Sequence, residues 1–261
     1  MNSLKHKPIP VKTGKVIWGE RRNMVVIIAG VGENKDIEAA ADKVDFEVLL
    51  AYSEDEFINM IRDGIGDAYV RGSLSSAPII KELRKIGDLK RASYIELDNH
   101  NFLLAPVGID EGFTIDDKIR IIEYCSNFME KIGLKASIAV ISGGRPQDIG
   151  RAPQIDKSIR EAEKLTSMIK DKYDIKHYYI LIEDAIEDKR NLILAPDGIT
   201  GNLIFRSLVL IGSAKSHGAI TLGIDPIFID TSRAQTIEGY ERALKFAYKL
   251  ASIKGDVKCH S

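Results

Sequence analysis

The chain has 261 residues, 44% of them hydrophobic, with 37 basic against 38 acidic side chains and a formal net charge of −1. That length and apolar share suit one large packed domain or two modest ones, and the balanced charge excludes a chain drawn as a whole to nucleic acid or to a membrane surface. Two cysteines, Cys125 and Cys259, give no disulfide framework and no metal-ligand spacing, and no apolar run reaches the roughly 18 residues of a membrane span, so a cytoplasmic, non-exported protein is expected.

In chain order, the first 22 residues carry Lys5, Lys7, Lys12, Lys15, Arg21 and Arg22 and read as a solvated arm, without the aromatic interleaving of single-strand binders. Strand character at 24–29 (MVVIIA) leads through Gly30 and Gly32 into a helix over 34–43. The GxG invites a dinucleotide or S-adenosylmethionine reading, but the third glycine is absent and Glu33 would oppose a phosphate. A strand at 46–51, a helix over 54–62 and a strand at 67–70 follow. That last strand runs into Gly72, Ser73, Ser75 and Ser76 at the start of a helix over 76–87. One serine suffices as an N-cap; three hydroxyls in four positions beside Arg71 lean toward an anion site.

Runs at 94–98 and 102–107, joined by DNHN, break the alternation and predict an antiparallel hairpin or a sheet edge. A helix over 115–131 and a strand at 136–141 lead to Ser142-Gly143-Gly144-Arg145. Two glycines there let backbone amides converge on an oxyanion beside a guanidinium, and a plain flexible turn accounts for the segment equally well. A helix over 156–171 and strands at 178–182 and 191–195 bring the chain to APDGITGNLIFR. Asp197 closes the turn, and Thr200, Gly201 and Asn202 open a helix over 202–214 whose free amides and positive dipole end attract an anion. Arg206 lies one turn on, on a face that points back toward the same ligand. His217 precedes Gly218 at that helix's end, where a histidine commonly meets the last carbonyls. After a strand at 219–224, Asp230-Thr231-Ser232-Arg233 precedes a helix over 236–253. Ser232 with Gln235 matches the capping-box spacing, and spacing alone leaves the capping and the site readings both open. The terminal Cys259-His260 pair reads as a frayed tail. Repeated strand-helix units predict an α/β fold with a parallel-rich sheet, and ligands in such folds gather where strand carboxyl ends meet helix amino ends.

PDGITGNLIFR, SHGAITLG and DPIFIDTSR resemble, in order and spacing, the C-terminal signature of the phosphate acetyltransferases and phosphate butyryltransferases, and GDAYVRGSLSS is similar to their GDADG-x-VSG segment. Within that superfamily the short length and the arginine at 206 look most like the archaeal MtxX branch, also called methanogenesis marker protein 4, whose name carries a methyltransferase assignment. The resemblance implies the two-domain isocitrate/isopropylmalate dehydrogenase-like (phosphotransacetylase-like) fold. Its first domain would be discontinuous, 1–88 plus 225–261, its second would be 89–224, and the ligand would lie in the cleft between them. It also implies a homodimer.

Carried over residue by residue, the family's catalytic serine falls on Ser232, the arginine beside it on Arg233, and the family lysine on Arg206. The family aspartate seven residues after the serine has no counterpart: Gly239 stands there, with Glu238 one step off. The arginine of the family's TLRP segment also lacks a clean equivalent, Arg84 being two positions away. Ser232 and Arg233 are thus the expected catalytic pair. Gly201, Asn202, Arg206, Ser142, Gly143, Gly144, Arg145, Gly72, Ser73 and Ser75 are the expected anion-binding set, with coenzyme A or an acyl phosphate as substrate, no metal, and a small phosphate-bearing ligand as partner. Two other readings stand beside acyl transfer: a non-catalytic anion-binding subunit that has lost its proton acceptor, and a methyltransferase role that rests on the family's name and on no residue of this chain.

Overall fold

The computed structural model describes residues 24–259, so the basic arm from Lys5 to Arg22 and His260 lie outside the described residues. The first third alternates strand and helix: β1 (Val26–Gly30), α1 (Asp36–Ala41), β2 (Glu47–Ala51), α2 (Glu54–Arg62), β3 (Ala68–Val70) and α3 (Ser76–Leu83). The hairpin follows as β4 (Lys90–Leu97) and β5 (His100–Ala105), turning through Asp98 and Asn99 at φ 46 and 61. Two left-handed residues in a two-residue loop match the right-handed twist of the flanking strands, and aspartate and asparagine accept that conformation more readily than most side chains. Beyond it come α4 (Ile115–Lys131), β6 (Ser137–Ile141), α5 (Pro153–Ile169), β7 (Asp174–Tyr179), α6 (Ile182–Glu187), β8 (Leu192–Leu194) and α7 (Gly198–Phe205). A π-helical turn over Arg206–Ile211, β9 (Lys215–Leu222), β10 (Ile227–Asp230) and α8 (Ile237–Cys259) complete the described chain.

All ten strands form one sheet in the order β2-β1-β3-β10-β9-β4-β5-β8-β6-β7. Pairing is parallel in each wing, β2-β1-β3-β10 and β5-β8-β6-β7, and antiparallel only across the centre. The fold is the expected α/β class with a mostly parallel sheet. Because an odd number of antiparallel pairings separates the wings, they run in opposite directions. Register then decides where their carboxyl ends lie: Asp230 is opposite Ala219, Ala219 opposite Ser93, and Ser93 opposite Leu104. The ends of β10 and β5 therefore reach the same level of the sheet from opposite sides, and the loops that follow them converge.

Among the elements that depart from the sequence expectation are β10, β9 and β7. β10 has only four residues and a proline at its entry, too little for a periodic signal. β9 starts at Lys215 instead of 219, because Lys215 and Ser216 pair with Glu96 and Ile95 of β4 despite their polar sequence. β7 lies four residues earlier than expected, and Ile182 opens the unanticipated α6. The last helix behaves as its pattern requires: Tyr240, Ala243, Leu244 and Ala247 are fully buried at helical spacing against the sheet. Burying a side chain such as Leu244 stabilises the fold by about 1.5–3 kcal/mol.

Candidate functional site

The loop between β10 and α8 is held from three directions. Thr231 Oγ1 donates to the Gly72 carbonyl (2.8 Å), the Tyr240 hydroxyl donates to the Ser232 carbonyl (3.0 Å), and Asn34 Nδ2 donates to the carbonyls of Arg233 and Gln235 (3.1 Å each). Burial pushes the Tyr240 phenol up to about 12, which keeps it a donor at every physiological pH. Of the two readings that the spacing left open at Ser232, the capping box does not form. Thr236 receives the Gly239 N–H instead (3.3 Å), while Ser232 Oγ accepts only the Ala234 N–H (3.2 Å) and stays half-buried at the surface of the loop.

The two glycine-containing junctions near the N-terminus form the scaffold behind this loop. Ser73 Oγ accepts from Gly32 N–H (2.8 Å) and donates to the Asn34 carbonyl (2.6 Å), which fixes the asparagine that anchors Arg233 and Gln235. A Cβ on Gly72, itself at φ +61, would lie 1.9 Å from the Gly30 carbonyl oxygen. Ser75 N–H donates to Glu54 (2.8 Å). Gly72, Ser73 and Ser75 were expected to touch an anion; the Gly72 carbonyl, the Ser73 hydroxyl and the Ser75 N–H are instead bonded within the protein, and of the stretch from 72 to 76 only Ser76 lines the cleft.

Behind the loop lies a buried ion network. Asp230 accepts from the Arg71 guanidinium on one oxygen and pairs with Arg91 Nη1 on the other (3.4 Å). Arg71 also donates to the carbonyls of Leu74 and Thr231, so each of its three nitrogens has a partner within the protein. Arg91 pairs with Glu111 (2.7 Å) and Asp110 (3.0 Å), and Arg84 with Asp110 (2.6 Å). Burial raises the Glu111 carboxyl above its ordinary value, with the Arg91 guanidinium opposing the shift. The sequence reading singled out Arg71 and Arg84 but missed Arg91 and Glu111. Arg91 sits in an otherwise ordinary strand, where only its paired partner on a distant loop reveals its role.

In front of the network opens a cleft of about 410 Å³, lined by Arg206, Arg233, Ser232, Asn202 and Gln235 among others. Asn202 and Arg206 are four apart on one helix and so present the same face. Arg206 opens the π-helical turn, a geometry that recurs at functional sites. Three carboxylates in or behind the cleft each have an arginine partner; among the described residues Arg206 and Arg233 have none. A larger groove of about 670 Å³ lies between α4, the β9–β10 turn and the end of α8. It is walled mainly by apolar groups such as Phe128, Leu222 and Leu250, its Lys254 is paired with Asp225 (3.3 Å) and its Thr221 hydroxyl is bonded to the Phe228 carbonyl, and it gathers none of the motif arginines, so the smaller cleft is the candidate site.

One expectation about the cleft is overturned. Helix α7 begins at Gly198, not at 202, because Asp197 in an extended conformation caps it through Thr200 N–H (2.8 Å). Gly201 is therefore inside the helix, its N–H donating to the Asp197 carbonyl (2.9 Å), and no free amide of Gly201 faces a ligand. Its glycine is required for packing: a Cβ there would lie 1.9 Å from the Pro106 carbonyl oxygen, as one on Gly198 would lie 1.5 Å from that of Gly108. We expect Gly201→Ala to destabilise the protein by about 1–3 kcal/mol, read as a lowered urea midpoint; an unchanged midpoint would refute the packing role. Asn202 does face the cleft, held by Nδ2 donating to the Val107 carbonyl (3.1 Å).

The Ser142–Arg145 turn is also outside the cleft. Strand β6 is separated from β4 by β5 and β8, about 14 Å at ordinary strand spacing. Gly143 N–H donates to Ser158 Oγ (2.9 Å), Arg145 N–H to Asp148 (2.9 Å), and Gly144 packs on Ile155. Ser142 Oγ bonds His177 Nε2 (2.9 Å), a histidine the sequence reading passed over. Burial lowers that imidazole from 6.5 to about 4. A depressed folded-state value means the unfolded chain takes up the proton first. The stability from neutral His177 is thus complete above pH 6.5 and is lost as pH falls toward 4. On the order of 2 kcal/mol is at stake after allowing for its partial exposure. Denaturant midpoints at pH 7 and 4.5 should differ less in His177→Gln than in the parent; equal differences would discount the imidazole. His217, expected at a helix end near the cleft, lies instead on β9, edge-on to Tyr94 (5.3 Å) and Phe246 (6.1 Å) on the sheet face that carries α8.

Two sequence relatives decide the family. An uncharacterized methyltransferase of Methanocaldococcus jannaschii is 44% identical over 237 residues, covering 85% of this chain and 97% of the relative. The mtx subunit X of Methanosarcina mazei, named for a methyltransferase, is 36% identical over 230 residues, covering 85% of this chain and 80% of the relative. The chain belongs to the MtxX family. No family model matches it. In fold, this MtxX-family chain is similar to the crystal structure of a branched-chain phosphotransacylase from Enterococcus faecalis, with a TM-score of 0.67 at 17% identity over 87% of this chain and 99% of that one. Among the described residues no group of three or more His, Cys, Asp or Glu side chains is placed to hold a metal ion, and no helix is long and apolar enough to cross a membrane.

Proposed function

We propose that this MtxX-family chain is a phosphotransacetylase-like transferase component that binds a phosphate-bearing ligand, an acyl phosphate or a thioester such as coenzyme A, in the cleft between its two lobes, 1–88 plus 225–261 and 89–224. The observation that carries this reading is the pair of arginines without carboxylate partners, Arg206 from one lobe and Arg233 from the other, on a shared cleft. A guanidinium offers a planar fork of donors that matches phosphate oxygens, and each charge-assisted bond contributes about 1.5–3 kcal/mol. Ser232 beside Arg233 supplies a hydroxyl to the same space. Thermal-shift titration with inorganic phosphate, acetyl phosphate and coenzyme A tests the binding: stabilisation is expected, and no shift with any of the three would sink the reading.

A second reading, an anion-binding subunit without its own turnover, is favoured by what stands near Ser232. The family aspartate position is Gly239, and a Cβ there would meet the Gln235 side chain at 2.3 Å. Glu238 is exposed and its nearest cation is Lys43 (3.8 Å). Both Asp230 oxygens are engaged by arginine. Among the described residues, no carboxylate without an arginine partner and no imidazole lines the cleft to take a thiol proton. Thiol consumption with acetyl phosphate separates the two readings, and Ser232→Ala should reduce any turnover while sparing phosphate binding. The methyl-transfer name of the relatives finds no cysteine or histidine among the cleft-lining residues to carry it.

A further inference from the structure

We infer that Gln235 is a specificity-determining residue that reads a hydroxyl on the carbon skeleton of a phosphate ester held by Arg206 and Arg233; the inference rests on the phosphate-ligand reading above. Gln235 is only 6% exposed, yet it lines the cleft. Its main chain is fully engaged, the N–H donating to the Ser232 carbonyl (3.2 Å) and the carbonyl accepting from Asn34 (3.1 Å). Its carboxamide has no hydrogen-bond partner among the described residues. The carboxamide atoms are not sealed in the interior; they open on the cleft, where a ligand or water completes their hydrogen bonds.

The glycine four residues on makes this placement feasible. The Gln235 side chain folds directly over Gly239, with Cδ, Cγ and Oε1 at 2.3, 2.5 and 2.6 Å from where a Cβ would stand. Any larger residue at 239 would displace the carboxamide. A second neutral group faces the same space. Ser93, 2% exposed on the cleft floor, has a hydroxyl without a partner among the described residues, and it lies in register with Ala219 and, through it, Asp230. The cleft thus sets two neutral groups, each able to donate and to accept, beside two unpaired cations. Phosphate alone would engage the arginines and leave Gln235 and Ser93 empty-handed. A carboxamide does not take up a proton at neutral pH, but it complements a hydroxyl in both directions. The ligand class that satisfies all four groups is a hydroxylated phosphate ester.

The test compares glycerol 3-phosphate with n-propyl phosphate, which has the same three-carbon ester skeleton without the hydroxyls, and uses inorganic phosphate as reference, by calorimetric titration of the full chain. The parent protein should prefer glycerol 3-phosphate at least about tenfold, because a site built to bond a hydroxyl penalises the analogue that lacks it. Gln235→Met, similar in length and unbranched, should reduce that preference to within about twofold while leaving inorganic phosphate affinity within about twofold. Gly239→Ala, which evicts the carboxamide without altering its chemistry, should do the same, so the result does not hang on one variant. If the parent binds both esters equally, or if both variants weaken all three ligands alike, the Gln235 assignment is overturned while phosphate binding stands. If none of the three binds the parent, the phosphate reading itself falls and this one with it.

Discussion

Replacing Arg206 and Arg233 together by alanine should abolish measurable phosphate binding to a protein that still folds. Each guanidinium stands without a carboxylate partner among the described residues, and both side chains are exposed at the cleft, so their removal leaves no buried charge uncompensated. Each single variant should weaken phosphate affinity by about 10- to 100-fold, the equivalent of about 1.5–3 kcal/mol for a charge-assisted contact. Arg145→Ala removes an exposed arginine outside the cleft and serves as the control, with affinity unchanged. Calorimetric titration at low and at physiological salt reads the result. An Arg206/Arg233 double variant that binds phosphate as the parent does would show that the cleft is not the anion site.

Asp230→Ala should have the largest effect on stability. Its carboxylate joins Arg71, just after β3, to Arg91 of β4, and both arginines are nearly buried. Removing one partner from a buried pair typically costs about 3–5 kcal/mol because the remaining charge loses its compensation without regaining water. For a chain of this size that corresponds to a fall in melting temperature on the order of 10 °C. Glu111→Gln should cost less, since Arg91 would keep Asp110 and Asp230 as partners. Scanning calorimetry of the two variants gives the ranking; an Asp230→Ala protein as stable as the parent would mean that the network does not hold β3, β4 and β10 together.

The Asp230 and Arg206/Arg233 variants also separate two parts of the site that sequence alone presents as one. Arginines 71 and 233 stand beside small polar residues between a strand end and a helix start, Arg206 lies one turn into a helix beyond such a junction, and all three invite an anion-site reading. Only the partner list distinguishes them. Arg71 is paired with Asp230 and bonded to two carbonyls, and it belongs to the scaffold. Arg206 and Arg233 keep their donors for the cleft. The same distinction applies to glycine: Gly32, Gly72 and Gly201 each look like an anion loop in sequence, and each is small because another backbone passes within a few ångströms.

What the amino-acid sequence determined by itself is what short-range physics encodes. The alternating periods marked the α/β class, most element positions and the Asp98-Asn99 hairpin, because each depends on neighbours within a few residues. Motif order marked the superfamily and brought out Ser232, Arg233 and Arg206. Strand order and register were decided only in the tertiary structure. They set the carboxyl ends of β5 and β10 at one level, kept the Ser142–Arg145 turn three strands away, placed His217 on the α8 face, and laid the Gln235 carboxamide over Gly239. None of these has a local signature, since each arises from contacts between segments tens to hundreds of residues apart whose pairing free energy is shared across the whole sheet.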